Sequence, residues 1–292
     1  MEINNELEKI LINFVDINKM AEEKITVKGI RGYQFKEMIR RLFVGSNLKS
    51  KYIDILLDEY SLSIYDLVFT HITANPYNNY EFYELLGDKT VNKSIAWYLA
   101  RRFPELMVNP QGTEIMTKLV TSLQSKKSLS AISRELDFWT YITADQASRD
   151  TKKTDILEDV FEAFIGATEY LIDERIKQGA GYLVAYNIIK SIFDKMEIST
   201  EWEYVTDSIT KLNETFKSNE LIRKNIGILN PYRESQDPLT KQWTVIISRR
   251  VGNMDEILGS GTDSKKQLSK IKAATMSIDN LRQKGFVYTK KI

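Results

Sequence analysis

The chain has 292 residues, 42% of them apolar and 28% charged, with a net charge of +1; this is the balance of an ordinary folded protein long enough for two domains. It has no cysteine, which excludes disulfides and thiolate metal sites, and a single histidine, His71, which excludes a multi-histidine centre. No apolar run reaches the ~18 residues of a membrane span, and the acidic, amphipathic start MEINNELEKILINF is unlike a signal or transit peptide. No membrane partner is therefore expected, and the expected setting is intracellular and cytoplasmic, with the nucleus left open. Any metal would have to be held by oxygen ligands, which points to Mg²⁺ or Mn²⁺.

The charge is unevenly spread. From Val205 to Ile292 there are 16 Lys/Arg and 9 Asp/Glu, a surplus of +7; the preceding residues hold the other 25 basic and 31 acidic side chains, or −6. An acidic body followed by a basic tail suggests a polyanionic partner for the tail.

In chain order, residues 1–60 read as a helical N-terminal extension, with a break at VKGIRGY. Residues 61–198 read as all-helical, with the strongest periodicity over Tyr80–Phe103, Glu114–Leu136 and Asp155–Glu174. Thr143 to Lys153 is polar and charged, and reads as an exposed connection. Strand-like alternation first appears at Gln242-WTVIISRRV-Gly252, followed by EILGSGT, with helices expected over Ile209–Ser218 and Ser264–Lys284. The tail unit thus spans about 205–287 as α-β-β-β-α, with the boundary near Ser199–Tyr204.

Two helices carry rows of acids. Glu81, Glu84 and Asp88 lie at i, i+3 and i+7 and stack on one helical face; Leu85, Leu86, Val91, Ile95 and Leu99 occupy positions suited to a core. Asp159 and Glu162 are i, i+3 neighbours in a strongly apolar helix, and neither has a basic residue four positions on. Gly166 in that helix costs ~1 kcal/mol, which predicts close packing of another element there. From periodicity alone such rows are usually solvated acidic faces; the other reading is a carboxylate cage for hard divalent ions.

The residues of these rows also carry a resemblance. YEFYELLGD resembles the ribonuclease III signature NERLEFLGD, and the upstream FTHITANPYNN is similar to its THRS…NN lead-in. ILEDVFEAFIGATEYLID is similar to the family's second acidic motif with its D-x-x-E, and the resemblance spans Ser61 to Lys195. It implies an all-α ribonuclease III endonuclease domain in which Glu84, Asp88, Asp159 and Glu162 are catalytic, metal-binding acids, with Glu81 accessory. Where the family has E-G-E/D before the middle helix, this chain has Gln111-GTE, which leaves Glu114 as a second accessory candidate. His71, in the family's T-H pair, reads as structural.

The tail resembles a double-stranded-RNA-binding domain of α+β type. The resemblance implies RNA contacts from Lys211, Glu214 and Lys217 on the first helix. Thr240 and Lys241 stand in a loop reading Asp237-PLTK where the family has G-P-x-H. Lys265, Lys266 and Lys270 lie at a helix start, where backbone N–H groups already attract phosphate. Together these imply a homodimeric, metal-dependent enzyme that cuts double-stranded RNA to 5′-phosphate and 3′-hydroxyl ends with short 3′ overhangs. The alternative reading is a duplex-RNA-binding protein on an inactive or silencing-suppressor version of the fold.

Overall fold

The computed structural model describes residues 25–46, 48–200 and 206–288; residues 1–24 of the expected helical extension lie outside them. The chain divides into two compact units. One joins the residues up to Arg102 with Val120–Met196, and the other joins Phe103–Leu119 with the residues from Glu197 onward.

The first unit contains β1 (Thr26–Val27), α1 (Tyr33–Gly45), α2 (Ser50–Leu56), α3 (Glu59–Val68) and α4 (Glu81–Arg102). The second takes α5 (Glu105–Val108) and most of α6 (Gly112–Leu123). The first then resumes with α7 (Lys126–Glu135), β2 (Ala144–Asp145), α8 (Gln146–Thr151), α9 (Lys153–Arg175) and α10 (Gly181–Phe193). Its centre is α9, which is buried on nearly every side from Ile156 to Ile172, as expected of a helix apolar all round. Phe164 of α9 lies 6.1 Å from the ring of Phe43, 5.5 Å from Tyr65 and 5.5 Å from Phe138; full burial of each such side chain contributes about 1.5–3 kcal/mol. The Tyr65 hydroxyl, fully buried, is satisfied by Thr168 Oγ1 at 3.0 Å. Residues between 26 and 56 are thus built into the same core, through Phe35, Ile39, Phe43 and Leu56.

Three local readings are corrected. The stretch expected to be one helix over Glu114–Leu136 breaks at Gln124–Ser125, because the Ser125 hydroxyl turns back to accept from Ser128 N and caps a new helix. Thr143–Lys153 is only in part the exposed connection expected: residues 146–147 and 150–153 are exposed, but its start is not. Ala144 and Asp145 are buried and pair antiparallel with Val27 and Thr26, and the Asp145 carboxylate caps α8 by accepting from Ser148 N at 2.6 Å. That pairing also puts a two-residue strand at the start of the break expected at VKGIRGY, within the extension otherwise read as helical.

The second unit ends in α11 (Ser208–Lys217), α12 (Asn219–Arg223), β3 (Ile228–Leu229), β4 (Arg233–Gln236), β5 (Trp243–Val251), β6 (Met254–Asp263) and α13 (Lys266–Gln283). β3 and β4 both pair antiparallel with β5 on the edge opposite β6, as one interrupted strand. The expected α-β-β-β-α order follows, with one short extra helix. Val245, Ile247 and Leu258 of the sheet pack on Leu212, Ala273, Ala274 and Leu281 of the helices. The register shift between Ile247 and Ser248 is what turns Leu258 inward.

Candidate active site and RNA-facing surface

α4 begins where the Asn79 side chain accepts from Glu81 N at 3.0 Å. It crosses α9 at Gly87 and Gly166 with the two backbones in contact. A side chain on Gly87 would overlap the Glu162 carbonyl, and one on Gly166 would overlap the Tyr83 carbonyl and the Gly87 amide. Gly166 therefore does what its position in a helix predicted, and its partner is Gly87, whose role the sequence reading missed. The crossing sets the acid rows of the two helices against each other.

Glu162 is buried and the other three acids are half-buried. Burial, then the negative charges of Asp88, Glu158, Glu84 and Asp159, push the Glu162 carboxyl up to about 8. Burial and the neighbouring Asp159, Asp88 and Glu81 charges also raise Glu84. Asp159 is raised by burial, against the hydrogen bond that it accepts from the Tyr80 hydroxyl at 2.8 Å and the Lys126 charge. The charges of Asp88 and Asp159 thus act on both glutamates. Among the described residues no Lys or Arg forms an ion pair with Glu84 or Glu162. Asp88 accepts from the exposed Lys89 ammonium at 2.6 Å and from Gln124 Nε2 at 2.7 Å.

Glu158 is a further acid at this cluster that the sequence reading passed over, raised by burial although Lys126 holds it at 3.2 Å and Asp155 at 2.7 Å. Its signal was the run Asp155, Glu158, Asp159, Glu162 on successive turns. Glu81 is exposed at the rim. Glu114 lies on α6 in the second unit and pairs with Lys118 at 2.9 Å. His71 is buried, its Nδ1 accepting the Thr73 N–H at 3.2 Å, with its ring edge-on to Tyr80 at 5.7 Å. Leu85 and Leu86, expected in the core, are 60% and 36% exposed, beside Phe82 at 55%; Val91, Ile95 and Leu99 are buried as expected.

The donor set suits a hard divalent cation: oxygen ligands only, with no ion-paired cation at Glu84 or Glu162 among the described residues. As the side chains stand, no group of three or more is drawn into a ready-made cage among the described residues. Mg²⁺ does not need one, since it keeps several waters and takes one or two carboxylates.

On the second unit, Lys217, Thr240, Lys241, Lys265 and Lys266 are exposed, while Lys211, Glu214 and Lys270 are half-buried. One Glu214 carboxylate oxygen is buried with no hydrogen-bond partner. The Asp237 carboxylate stiffens its loop by accepting from the Leu239 and Thr240 amides at 2.8 Å each. Lys265 precedes the first turn of α13. Lys266, in that first turn, and Lys270, one turn further on, both pair with Glu234 of β4, Lys270 at 2.7 Å. That partner lies 32 and 36 residues away in sequence, so nothing local announced it.

The Ribonuclease III domain profile matches residues 81–170, which contain both acid rows. A protein of Invertebrate iridescent virus 6 that carries the name ribonuclease 3 is 35% identical over 270 residues, covering 88% of this chain and 90% of its own. The ribonuclease 3 of Limosilactobacillus fermentum is 26% identical over 219 residues, covering 73% and 86%. Among solved structures, the nuclease domain of Campylobacter jejuni ribonuclease III aligns at 23% identity and a TM-score of 0.40, over 55% of this chain and 98% of that one. The chain belongs to the ribonuclease III family, the endonucleases of double-stranded RNA.

Proposed function

We propose that Glu84, Asp88, Asp159 and Glu162 form the catalytic carboxylate cluster, that it holds Mg²⁺ or Mn²⁺, and that the chain cuts both strands of an RNA duplex as a homodimer. The observation that carries this reading is the Gly87–Gly166 crossing, which turns the Glu84–Asp88 row toward the Asp159–Glu162 row with no ion-paired cation on either glutamate among the described residues. Residues 61–198 would act as the nuclease domain and 205–287 as the duplex-binding domain.

A divalent ion supplies Lewis acidity here: it lowers the pKa of a water and offsets charge on the phosphate. The chain's own part is to hold the carboxylates in one place and to exclude stray cations from Glu84 and Glu162. Water adds its oxygen to phosphorus, the bond from phosphorus to the 3′ oxygen breaks, and that oxygen takes up a proton. The products are a 5′-phosphate and a 3′-hydroxyl, and staggered cuts by two protomers leave short 3′ overhangs. Exposed Phe82, Leu85 and Leu86 on α4 offer an apolar surface for the second protomer.

An end-labelled RNA duplex incubated with Mg²⁺ tests the reading, beside Asp88→Asn and Glu162→Gln. Cleavage that EDTA and both substitutions abolish supports it. Binding without cleavage, indifferent to EDTA, would establish the inactive-fold reading instead.

A further inference from the structure

We infer that Tyr80 and Gln124 are positioning residues, each binding one oxygen of a cluster aspartate so that Asp159 and Asp88 are oriented before a cation arrives. The inference rests on the carboxylate site proposed above and concerns how that site is kept in order.

Tyr80 immediately precedes α4 and is 3% exposed. Its hydroxyl crosses to α9 and donates to Asp159 Oδ2 at 2.8 Å. The ring is buried, His71 meets it edge-on at 62°, and His71 is itself tied at Nδ1 to Thr73. Gln124 stands at the break between α6 and α7. Its Nε2 donates to Asp88 Oδ1 at 2.7 Å, and its Oε1 accepts from Asn92 Nδ2. That second contact decides which end of the amide faces Asp88.

Both donors are uncharged, and that is the point of the arrangement. A lysine or arginine at either place would fix the carboxylate but also cancel the charge that attracts a cation. A phenol or an amide removes torsional freedom and leaves the full negative charge in place. Lys89 also touches Asp88, at Oδ2, but its side chain is 77% exposed, so it is an outer, displaceable partner. Neither Glu84 nor Glu162 has a side-chain hydrogen bond among the described residues. The site therefore has two fixed aspartates and two longer, adjustable glutamates. Partners of this kind behind a ligand typically change metal affinity or activity by about 10- to 100-fold.

The test uses the full chain and Mn²⁺ alone, with free Mn²⁺ read by electron paramagnetic resonance. Tyr80→Phe and Gln124→Leu should each bind Mn²⁺ about tenfold more weakly. Duplex cleavage by each should recover as Mn²⁺ is raised, with KM for the duplex unchanged, which a general loss of packing would not produce. Gln124, only half-buried, carries the test alone if Tyr80→Phe melts early in circular dichroism. Mn²⁺ affinity within twofold of wild type in the folded variants would overturn the inference and leave the carboxylate site standing. If Asp159→Asn and Glu162→Gln also left Mn²⁺ binding unchanged, the site itself would fall, and the inference with it.

Discussion

Gly87 and Gly166 meet backbone to backbone, and the distance between the two acid rows is set by that contact. Alanine at either position has nowhere to go, because the obstructing atoms are main-chain atoms of the opposite helix: the Glu162 carbonyl against Gly87, and the Tyr83 carbonyl against Gly166. Gly87→Ala and Gly166→Ala should each cost about 1–3 kcal/mol in urea denaturation and lower cleavage further by spreading the acids. Gly45, at the end of α1 with open space around its Cβ position, is the control. Gly45→Ala should be neutral or stabilise by up to ~1 kcal/mol. Equal losses at all three positions would show that the crossing has no special role.

Glu162 makes stability depend on pH in the direction opposite to that of a salt-bridged acid. Its carboxyl is raised from 4.5 to about 8 in the fold, so the folded state holds a proton that the unfolded state releases. Its contribution is fully present below about pH 4.5 and is lost as pH rises through about 8. In EDTA, wild-type stability should fall across that window relative to Glu162→Gln, and the variant should be the more stable at pH 8.5 by about 1–3 kcal/mol. Mg²⁺ should narrow the gap. A variant less stable than wild type in EDTA at pH 8.5 would contradict this account of the site's charge.

Much of this was legible because helical periodicity is strong and local. Glu84 and Asp88, or Asp159 and Glu162, need only a helix to share a face, and a glycine at 166 in an apolar helix asks for a close neighbour. What was not legible depended on partners far away in sequence. Polar Thr143–Lys153 reads as solvated until Thr26 and Val27 cover Ala144 and Asp145. Leu85 and Leu86 fit an apolar pattern, but periodicity does not say whether the apolar surface they face belongs to the same chain. The basic start of α13 reads as a row of free cations until Glu234 of β4 is seen against two of them.

Asp58 links two elements and should respond to acid in the usual sense. It caps α3 by accepting from Ser61 N at 2.9 Å and pairs with Arg175, near the end of α9, at 2.6 Å. The Arg175 hydrogen bond is the main reason its carboxyl is held down at about 2 instead of 3.8. Its stabilising contribution is therefore complete above about pH 4 and is lost as pH falls through about 2. Solvent screens the half-exposed pair, so most of the effect is the cap. Asp58→Ala should cost about 1 kcal/mol at pH 7, and Asp58→Asn, which keeps a capping oxygen, less. Thermal melts at pH 7 and pH 2.5 would show the difference shrinking with acid, and a constant difference would refute the assignment.

Glu234 ties down two lysines of the proposed duplex-binding surface. It accepts ion pairs from both Lys266 and Lys270, which together hold its carboxyl below the usual range. Each pair would compete with an RNA phosphate for the same ammonium group, near the start of a helix whose N–H groups also favour an anion. Glu234→Gln frees both lysines without moving them, so the affinity for a duplex should rise several-fold at about 0.1 M salt. The plot of log affinity against log salt should also steepen by up to about two phosphate contacts, since each neutralised phosphate releases counterion. Lys265→Ala, which removes a cation that Glu234 does not hold, should instead weaken binding and flatten the slope by about one contact. If Glu234→Gln left both affinity and slope unchanged, Lys266 and Lys270 would be structural ties to β4 and the RNA would be held elsewhere on the unit.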